Sequence, residues 1–385
     1  MSNKQKVNLA GLTLVGLKSL FSDLNEKPFR AAQVMKWIHQ RGVTNIDFMS
    51  DISKDLRKRL FEVGEVRLPH VLNEFVSGDG SRKWIVEVAS GSQVEMVYIP
   101  EGGRGTLCIS SQAGCSLDCS FCATGKQGFD SNLSVAEIIG QLWWANKLLG
   151  NFDQSNPISI SNVVMMGMGE PLLNFNNVID SVNIMMEDAA YGLSKRKVTI
   201  STSGVVPAIK KMKGLTEVSI AVSLHAPNDK LRGQIMPINK RYSIAELLGS
   251  VKAYMGSLSD NRVPLIEYTL IKGVNDHRQH ARELAKLLVS FPCKINLIPF
   301  NTFESSNFER PSGSSITNFR EILKKAGYTV TVRTTRADDI SAACGQLVGG
   351  VTDRTQRNAR YKRKIDKSNE SVKLVGKLAT AAERI

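Results

Sequence analysis

"CSLDCSFC", residues 115–122, sets three thiols three and then two residues apart, and the fold follows from what they hold. At this spacing Cys115, Cys119 and Cys122 can converge on one centre, and the run contains no fourth ligand. A structural zinc site closes with four ligands, commonly from two short knuckles. Three thiolates on a four-iron cluster instead leave one iron open, where a substrate or cofactor can bind. The nearest further thiol, Cys108, lies inside "TLCISSQ" (106–112), a strand pattern, and would have to point back to the loop to be a fourth ligand.

Outward from this loop, short β-branched runs alternate with amphipathic segments over about 105–335. The strand patterns are "TLCISSQ", "SNVVMMGM" (161–168), "KVTISTS" (197–203), "VSIAVSLHA" (218–226), "PLIEYTLI" (264–271) and "KINLIPF" (294–300). Two of the intervening helices open with capping boxes, Ser134 with Glu137 and Ser243 with Glu246, and another begins at Arg278. Strand-then-helix units imply a parallel sheet with helices outside. Six units predict an α/β fold of the partial (β/α)6 barrel type. The cysteine loop then follows the first strand, at the barrel end where such enzymes build active sites.

The flanks read differently. Residues 1–63 are expected to form an N-terminal helical accessory domain; in "KPFRAAQVMKWIHQRG" (27–42), Phe29, Val34, Trp37 and Ile38 approach helical spacing and Gly42 is the stop. Residues 64–100 alternate apolar and polar residues around Asp79-Gly80 and Ser90-Gly91, which predicts a small β-hairpin linker layer. The core is assigned to 101–347 and a basic C-terminal tail to 348–385.

Composition bounds the partners. The 385 residues carry 42% hydrophobic and 22% charged side chains, the proportions of a soluble globular protein. No apolar stretch reaches the roughly 18–20 residues that span a bilayer. Lys18 interrupts the apolar N-terminal run and no small-residue cleavage site follows it, so no signal peptide is expected. Four of six cysteines fall between 108 and 122, a clustering that in a cytoplasmic chain points to metal or redox chemistry. The net charge of +14 suits a polyanionic partner. Arg30, Lys36 and Arg41, with the Arg357–Lys364 cluster, are candidate phosphate contacts.

The three-cysteine loop, with Phe121 before its last cysteine, resembles the radical S-adenosylmethionine superfamily. "CISSQAGCSLDCSFCATGKQGF" (108–129), "MGMGEPLLNFNNV" (166–178), "VSLHAPND" (222–229), "LIPFN" (297–301) and "DDISAACGQL" (338–347) narrow it. In that order they resemble the dual-specificity RNA (adenine-C2) methyltransferases, and the likeness runs from residue 27 to 347. It implies methylation of C2 of one adenine in 23S ribosomal RNA and of an anticodon-loop adenine in tRNA. It also implies one [4Fe-4S] cluster on Cys115, Cys119 and Cys122, two S-adenosylmethionines per turnover, and an electron donor such as flavodoxin or ferredoxin. The open iron would hold the cofactor's amino and carboxylate groups. A cytoplasmic monomer is expected.

Adenine C2 is a hydrogen-bearing aromatic carbon without useful nucleophilicity, so displacement on a sulfonium methyl is closed to it and a radical route is needed. The resemblance assigns the methyl carrier to Cys344, a thiol competent toward a sulfonium methyl group. It assigns Cys108 as the resolving thiol that forms a transient disulfide with Cys344 and releases the product. The alternative for Cys108 is a small buried apolar residue. Glu95 matches the family's proton acceptor, although Cys108 as thiolate is an alternative base. Cofactor contacts fall on Gly169, Glu170, Ser201, Ser223, Leu224, His225 and Asn301, with Gly167 and Gly169 allowing close backbone approach. Strand-end capping is the other reading of Ser201 and Asn301, and a satisfied barrel histidine that of His225. Cys293 has no motif partner. Two rivals remain: an enzyme that methylates C8 of the same ribosomal adenine, and a zinc-bearing RNA-binding protein without catalysis.

Overall fold

The computed structural model describes residues 6–354 except 154, 157, 158, 304 and 305; the Arg357–Lys364 cluster lies outside the described residues. Near the N-terminus, β1 (Val7–Asn8) pairs in parallel with β2 (Gly64–Glu65) and closes a loop holding α1 (Leu14–Asp23), α2 (Phe29–His39) and α3 (Lys54–Val63). Thr13 and Ser53 cap α1 and α3 through their hydroxyls. The buried stripe of α2 is Ala31, Val34, Met35 and Ile38. Phe29, expected in that stripe, is instead 52% exposed beside the Arg30 guanidinium. The i, i+3, i+4 run that starts at Ala31 wins because it faces the barrel. There Trp143 Nε1 donates to the Ile38 carbonyl (2.9 Å), and His39 Nδ1 meets the Tyr191 hydroxyl (3.2 Å). Gly42 ends the segment at φ 65°, and a Cβ there would strike the Phe152 ring at 2.4 Å.

The expected hairpin layer is part of the main sheet. Strands β3 (His70–Val76), β4 (Arg82–Glu87) and β5 (Gln93–Glu101) run antiparallel into β6 (Arg104–Cys108), the first barrel strand. After β6 come a small pair, β7 (Gln112–Gly114) and β8 (Phe129–Asn132), with the short α4 (Ala123–Gln127) between them, and then α5 (Val135–Leu148). The parallel series follows: β9 (Asn162–Met165) and α6 (Phe175–Met186), β10 (Val198–Thr202) and α7 (Val206–Lys211), and β11 (Ser219–Ser223) with α8 (Asp229–Ile235) and α9 (Ile244–Met255). It is completed by β12 (Leu265–Leu270), α10 (Arg278–Leu287), β13 (Lys294–Pro299), α11 (Gly313–Lys325) and β14 (Thr329–Val332). Strand order is β14-β13-β12-β11-β10-β9-β6-β5-β4-β3, so the six barrel strands lie in sequence order with a seventh parallel strand, β14, beyond them. Both capping boxes form, at Ser134/Glu137 and Ser243/Glu246. Among the described residues no helix is long and apolar enough to cross a membrane.

Candidate active site

A cavity of about 130 Å³ opens at the C-terminal ends of the barrel strands. Cys115, Cys119, Cys122 and Cys344 all line it, although the last two are 222 positions apart in the chain. The cysteine loop runs from β7 into α4, with Cys122 at the N-cap. Burial raises the Cys119 thiol well above its ordinary range, and the neighbouring Cys122 and Cys115 add to the rise. Such thiols are comfortable as thiolates only on a positive centre. Among the described residues no three His, Cys, Asp or Glu side chains close on a single ion. A cluster that takes one thiolate on each of three irons needs no such common point, so the soft donor set suits iron and sulfide.

The loop motifs hold one another. Ser110 Oγ donates to the Glu95 carbonyl (2.6 Å) and accepts from Met168 N–H (2.8 Å). Gln112 Oε1 accepts from Glu170 N–H (2.8 Å), and Asn174 Nδ2 donates to the carbonyls of Ser111 (2.9 Å) and Leu133 (2.7 Å). "ISSQ" and "GMGEPLLN" are therefore two sides of one buried polar seam. It explains both glycines: a Cβ on Gly167 would lie 2.6 Å from Ser110 Oγ, and one on Gly169, at φ 96°, would lie 2.5 Å from Gln112 Cβ. Their visible requirement is packing against the 110–112 segment.

Gly169, Glu170, Ser201, Ser223, His225 and Asn301 all line the cavity; Leu224 does not. The Leu224 side chain is fully buried, and its carbonyl accepts from Arg232 Nε (3.0 Å). Glu170 accepts from Thr202 Oγ1 (2.8 Å), Ser203 N–H (2.7 Å) and Leu172 N–H (3.1 Å), so its carboxylate also ties β10 to the loop after β9. Burial raises its pKa against those hydrogen bonds. His225 stands at φ 57° and its Nδ1 accepts from Thr269 N–H (2.9 Å), which leaves the proton on Nε2. Burial lowers its pKa to about 3, with Arg232 adding to the effect, so the ring is neutral. Phe121 packs edge-on against it, centroids 4.7 Å apart, and links the cysteine loop to β11. Asn301 Nδ2 donates to the Cys344 carbonyl (3.2 Å), so its visible partner is the Cys344 loop.

Cys108 ends β6 opposite Val97 and Val164, outside the cavity lining. Burial pushes its thiol up to about 12, and the Cys344 thiol adds to the rise. The Arg333 guanidinium opposes the rise at both sulfurs. Glu95 is also outside the lining. It is 3% exposed, ion-paired to Lys83 (3.2 Å) and bonded to Val348 N–H (3.2 Å), where a glutamate on a hairpin strand would ordinarily face solvent.

Four residues at the site gave no sequence signal: Glu267, Arg232, Arg333 and Lys83. Glu267 lines the cavity on β12, 3% exposed; Oε2 accepts from Ser201 Oγ (3.2 Å), while Oε1 makes no hydrogen bond of good geometry, with the Asn296 amide alongside. Arg232, 1% exposed, donates to the carbonyls of Leu224, Ser203 (2.7 Å) and Ser223 (3.0 Å) and to Asn239 Oδ1 (2.8 Å), stapling two strand ends beneath the cavity. Only the tertiary arrangement marks Glu267, Arg232 and Lys83 as buried and Arg333 as half-buried.

Known proteins share this layout. Residues 7–66 match the ribosomal RNA large subunit methyltransferase N-terminal domain, and residues 109–285 match the radical SAM superfamily. The dual-specificity RNA methyltransferase RlmN of Marinobacter nauticus is 58% identical over 93% of this chain and 96% of its own. That of Pseudomonas fluorescens is 59% identical over 92% and 93%. The chain belongs to the RlmN family of dual-specificity RNA methyltransferases. It is thus an S-adenosylmethionine-dependent RNA methyltransferase of the radical SAM superfamily. A radical SAM methyltransferase from Sphaerobacter thermophilus has the same fold, with a TM-score of 0.81 at 37% identity over 89% of this chain and 99% of that one. The non-catalytic zinc protein is thereby set aside.

Proposed function

We propose that the protein methylates C2 of one adenine in 23S ribosomal RNA and of an anticodon-loop adenine in tRNA, with Cys344 as methyl carrier. The observation that carries this reading is the convergence of Cys344 with Cys115, Cys119 and Cys122 on one cavity. When bound on the three thiols, the cluster and S-adenosylmethionine supply an electron and a hydrogen-atom abstractor strong enough to act on a methyl group. The other tasks fall to side chains of this chain.

Cys344 takes the methyl group of one S-adenosylmethionine onto sulfur, and after hydrogen-atom loss to a second it tethers that carbon to adenine C2. Arg333 favours the thiolate that the first step needs, against the cost of burial. Glu95 accepts the C2 proton; burial raises its affinity for protons while Lys83 opposes. Once the adduct's unpaired electron has passed to a one-electron acceptor such as the oxidised donor, the Cys108 thiolate attacks the Cys344 sulfur. The S–S bond forms as the S–C bond breaks, and the S–C electron pair leaves on the carbon, which takes a proton and departs on the base as a methyl group. A thiol reductant returns the pair for the next turnover. Gly169, Glu170, Ser201, Ser223, His225 and Asn301 surround the cofactor, while Leu224, its N–H on the Glu267 carbonyl and its carbonyl on Arg232, supports the strand end behind them.

The chain divides into an RNA-contacting helical domain (1–63), the hairpin strands (64–100), the catalytic core (101–347) and the basic tail (348–385). On the first, Arg41 lies 4.0 Å over the Trp37 ring, a basic-aromatic pair suited to nucleotides, with Arg30 and Lys36 on the same helix. A cytoplasmic monomer served by a flavodoxin- or ferredoxin-type donor completes the reading. Mass analysis of nucleosides from RNA of a strain lacking the protein should show loss of 2-methyladenosine from both 23S rRNA and tRNA. Loss of 8-methyladenosine instead would give the site to the C8 reaction.

A further inference from the structure

Cys344 has to present one sulfur to a sulfonium methyl, then to a base, then to Cys108, so its loop needs a defined seat. The loop's own hydrogen bonds close two turns, Ala342 N–H to the Ala337 carbonyl (2.9 Å) and Ala343 N–H to Gln346 Oε1 (3.1 Å), but they form on a strained path. Ala337 and Ser341 stand in the left-handed region (φ 55° and 49°), as does Gly345 (φ 84°), and the two non-glycine residues are strained there. Something outside the loop must over-determine that path.

The counterpart lies on the hairpin strands. Lys83 on β4 is opposite Val97, and Glu95 on β5 is two residues along, a diagonal pair on one sheet face. Lys83 Nζ approaches Glu95 Oε1 at 3.2 Å, the side chains only 9% and 4% exposed. Each also grips the loop: Lys83 Nζ donates to the Ser341 carbonyl (3.4 Å), and Glu95 Oε2 accepts from Val348 N–H (3.2 Å). One ion pair therefore holds the chain three residues before Cys344 and four residues after it. A buried pair is a poor source of net stability against apolar replacement, so its retention here calls for another role. On the far side, Gly345 and Leu347 are tied to the cysteine loop and α4: Ala123 N–H donates to the Gly345 carbonyl (2.9 Å), and Thr124 Oγ1 to the Leu347 carbonyl (2.8 Å).

We propose that Lys83 is a positioning residue for the methyl-carrying thiol and that the Lys83–Glu95 pair is the seat of the Cys344 loop. The role of Lys83 rests on the reading of Cys344 as methyl carrier. It assigns Glu95 a second task, exercised before any proton is moved. Methyl loading of Cys344 precedes attack on RNA, so it reports the seat separately from proton acceptance.

The test uses cluster-loaded holoenzyme as wild type, Lys83→Met, Lys83→Arg and the double variant Lys83→Met/Glu95→Leu. The double variant leaves no unpaired buried charge and so keeps the fold available if Lys83→Met does not. Two quantities are read: amide hydrogen exchange over 341–348, and the rate at which labelled methyl appears on Cys344. Lys83→Met and the double variant should exchange about tenfold faster over that segment, with β9 to β13 unchanged, and load methyl roughly ten- to a hundredfold more slowly. Lys83→Arg should recover both. Wild-type exchange and loading in the double variant would overturn the seat. So would a Lys83→Arg protein no better than Lys83→Met. Absence of label from Cys344 in the wild type would instead sink the carrier reading, leaving the exchange arm to judge the loop contact.

Discussion

Cys108→Ala should stop after a single event, with RNA held covalently on Cys344 through the transferred carbon. Methylation of Cys344 and attack on adenine need no second thiol, so both proceed; only cleavage of the S–C bond requires one. Cys108 is the cysteine assigned to act: it is buried at the end of β6, and the Cys344 thiol is among the causes that raise its own. Cys293 is remote, on the segment between α10 and β13. A thioether resists reductant, so the adduct should persist on reducing gels and collapse on RNase digestion to a nucleotide-sized mass addition. Product yield should fall from many RNAs per enzyme to about one adduct and no release. If Cys108 served only as a packed strand residue, the substitution would cost roughly 1–2 kcal/mol of stability and trap nothing. Multiple turnover by Cys108→Ala would return that cysteine to the core.

Cys119→Ala should abolish cluster binding and cofactor cleavage together, reducing both to background. Cys119 is the deepest case of the three, its thiol raised by burial and by both neighbours, so alanine leaves two thiols with no third anchor for the cluster. The fold should survive, because the loop is also held through Ser120 N–H to the Ile235 carbonyl (3.0 Å) and Cys115 N–H to the Gly128 carbonyl (2.7 Å). The measurement is iron per protein and 5′-deoxyadenosine release after anaerobic reconstitution. Wild-type release from Cys119→Ala would remove the three-thiol assignment. Cys344→Ala is the matched control: it should retain the cluster and lose the protein-bound methyl.

The parallel barrel strands were legible because parallel strands covered on both faces read as unbroken β-branched runs, and all six appear near their expected positions. Helix starts at Ser134 and Ser243 were legible because capping is local chemistry. The union of β3–β5 with the barrel sheet was not, since alternation within a strand says nothing of its partner on the outer edge. Phe29 misled for a related reason: spacing finds a stripe but not which of two adjacent stripes meets the protein.

At the site, motif residues were found and their visible partners often differed from the expected ones. Asn301 holds the Cys344 loop, and Gly169 makes room for Gln112. Glu267, Arg232, Arg333 and Lys83 are ordinary charged residues in sequence, and their placement beside thiols and carbonyls arises only when distant strands meet. Buried charges are expensive without partners, which is why Arg232, Lys83 and Glu267 are each tied to a neighbour here.

The proposed mechanism turns on a methyl group carried by the protein itself. Holoenzyme incubated anaerobically with methyl-labelled S-adenosylmethionine and reductant, without RNA, is denatured, digested and read by peptide mass analysis. The peptide containing Cys344 should carry one added methyl group bearing the label, and Cys344→Ala should carry none. Label on another residue, or a wild-type Cys344 peptide of unmodified mass in protein that still methylates RNA, would contradict the carrier mechanism.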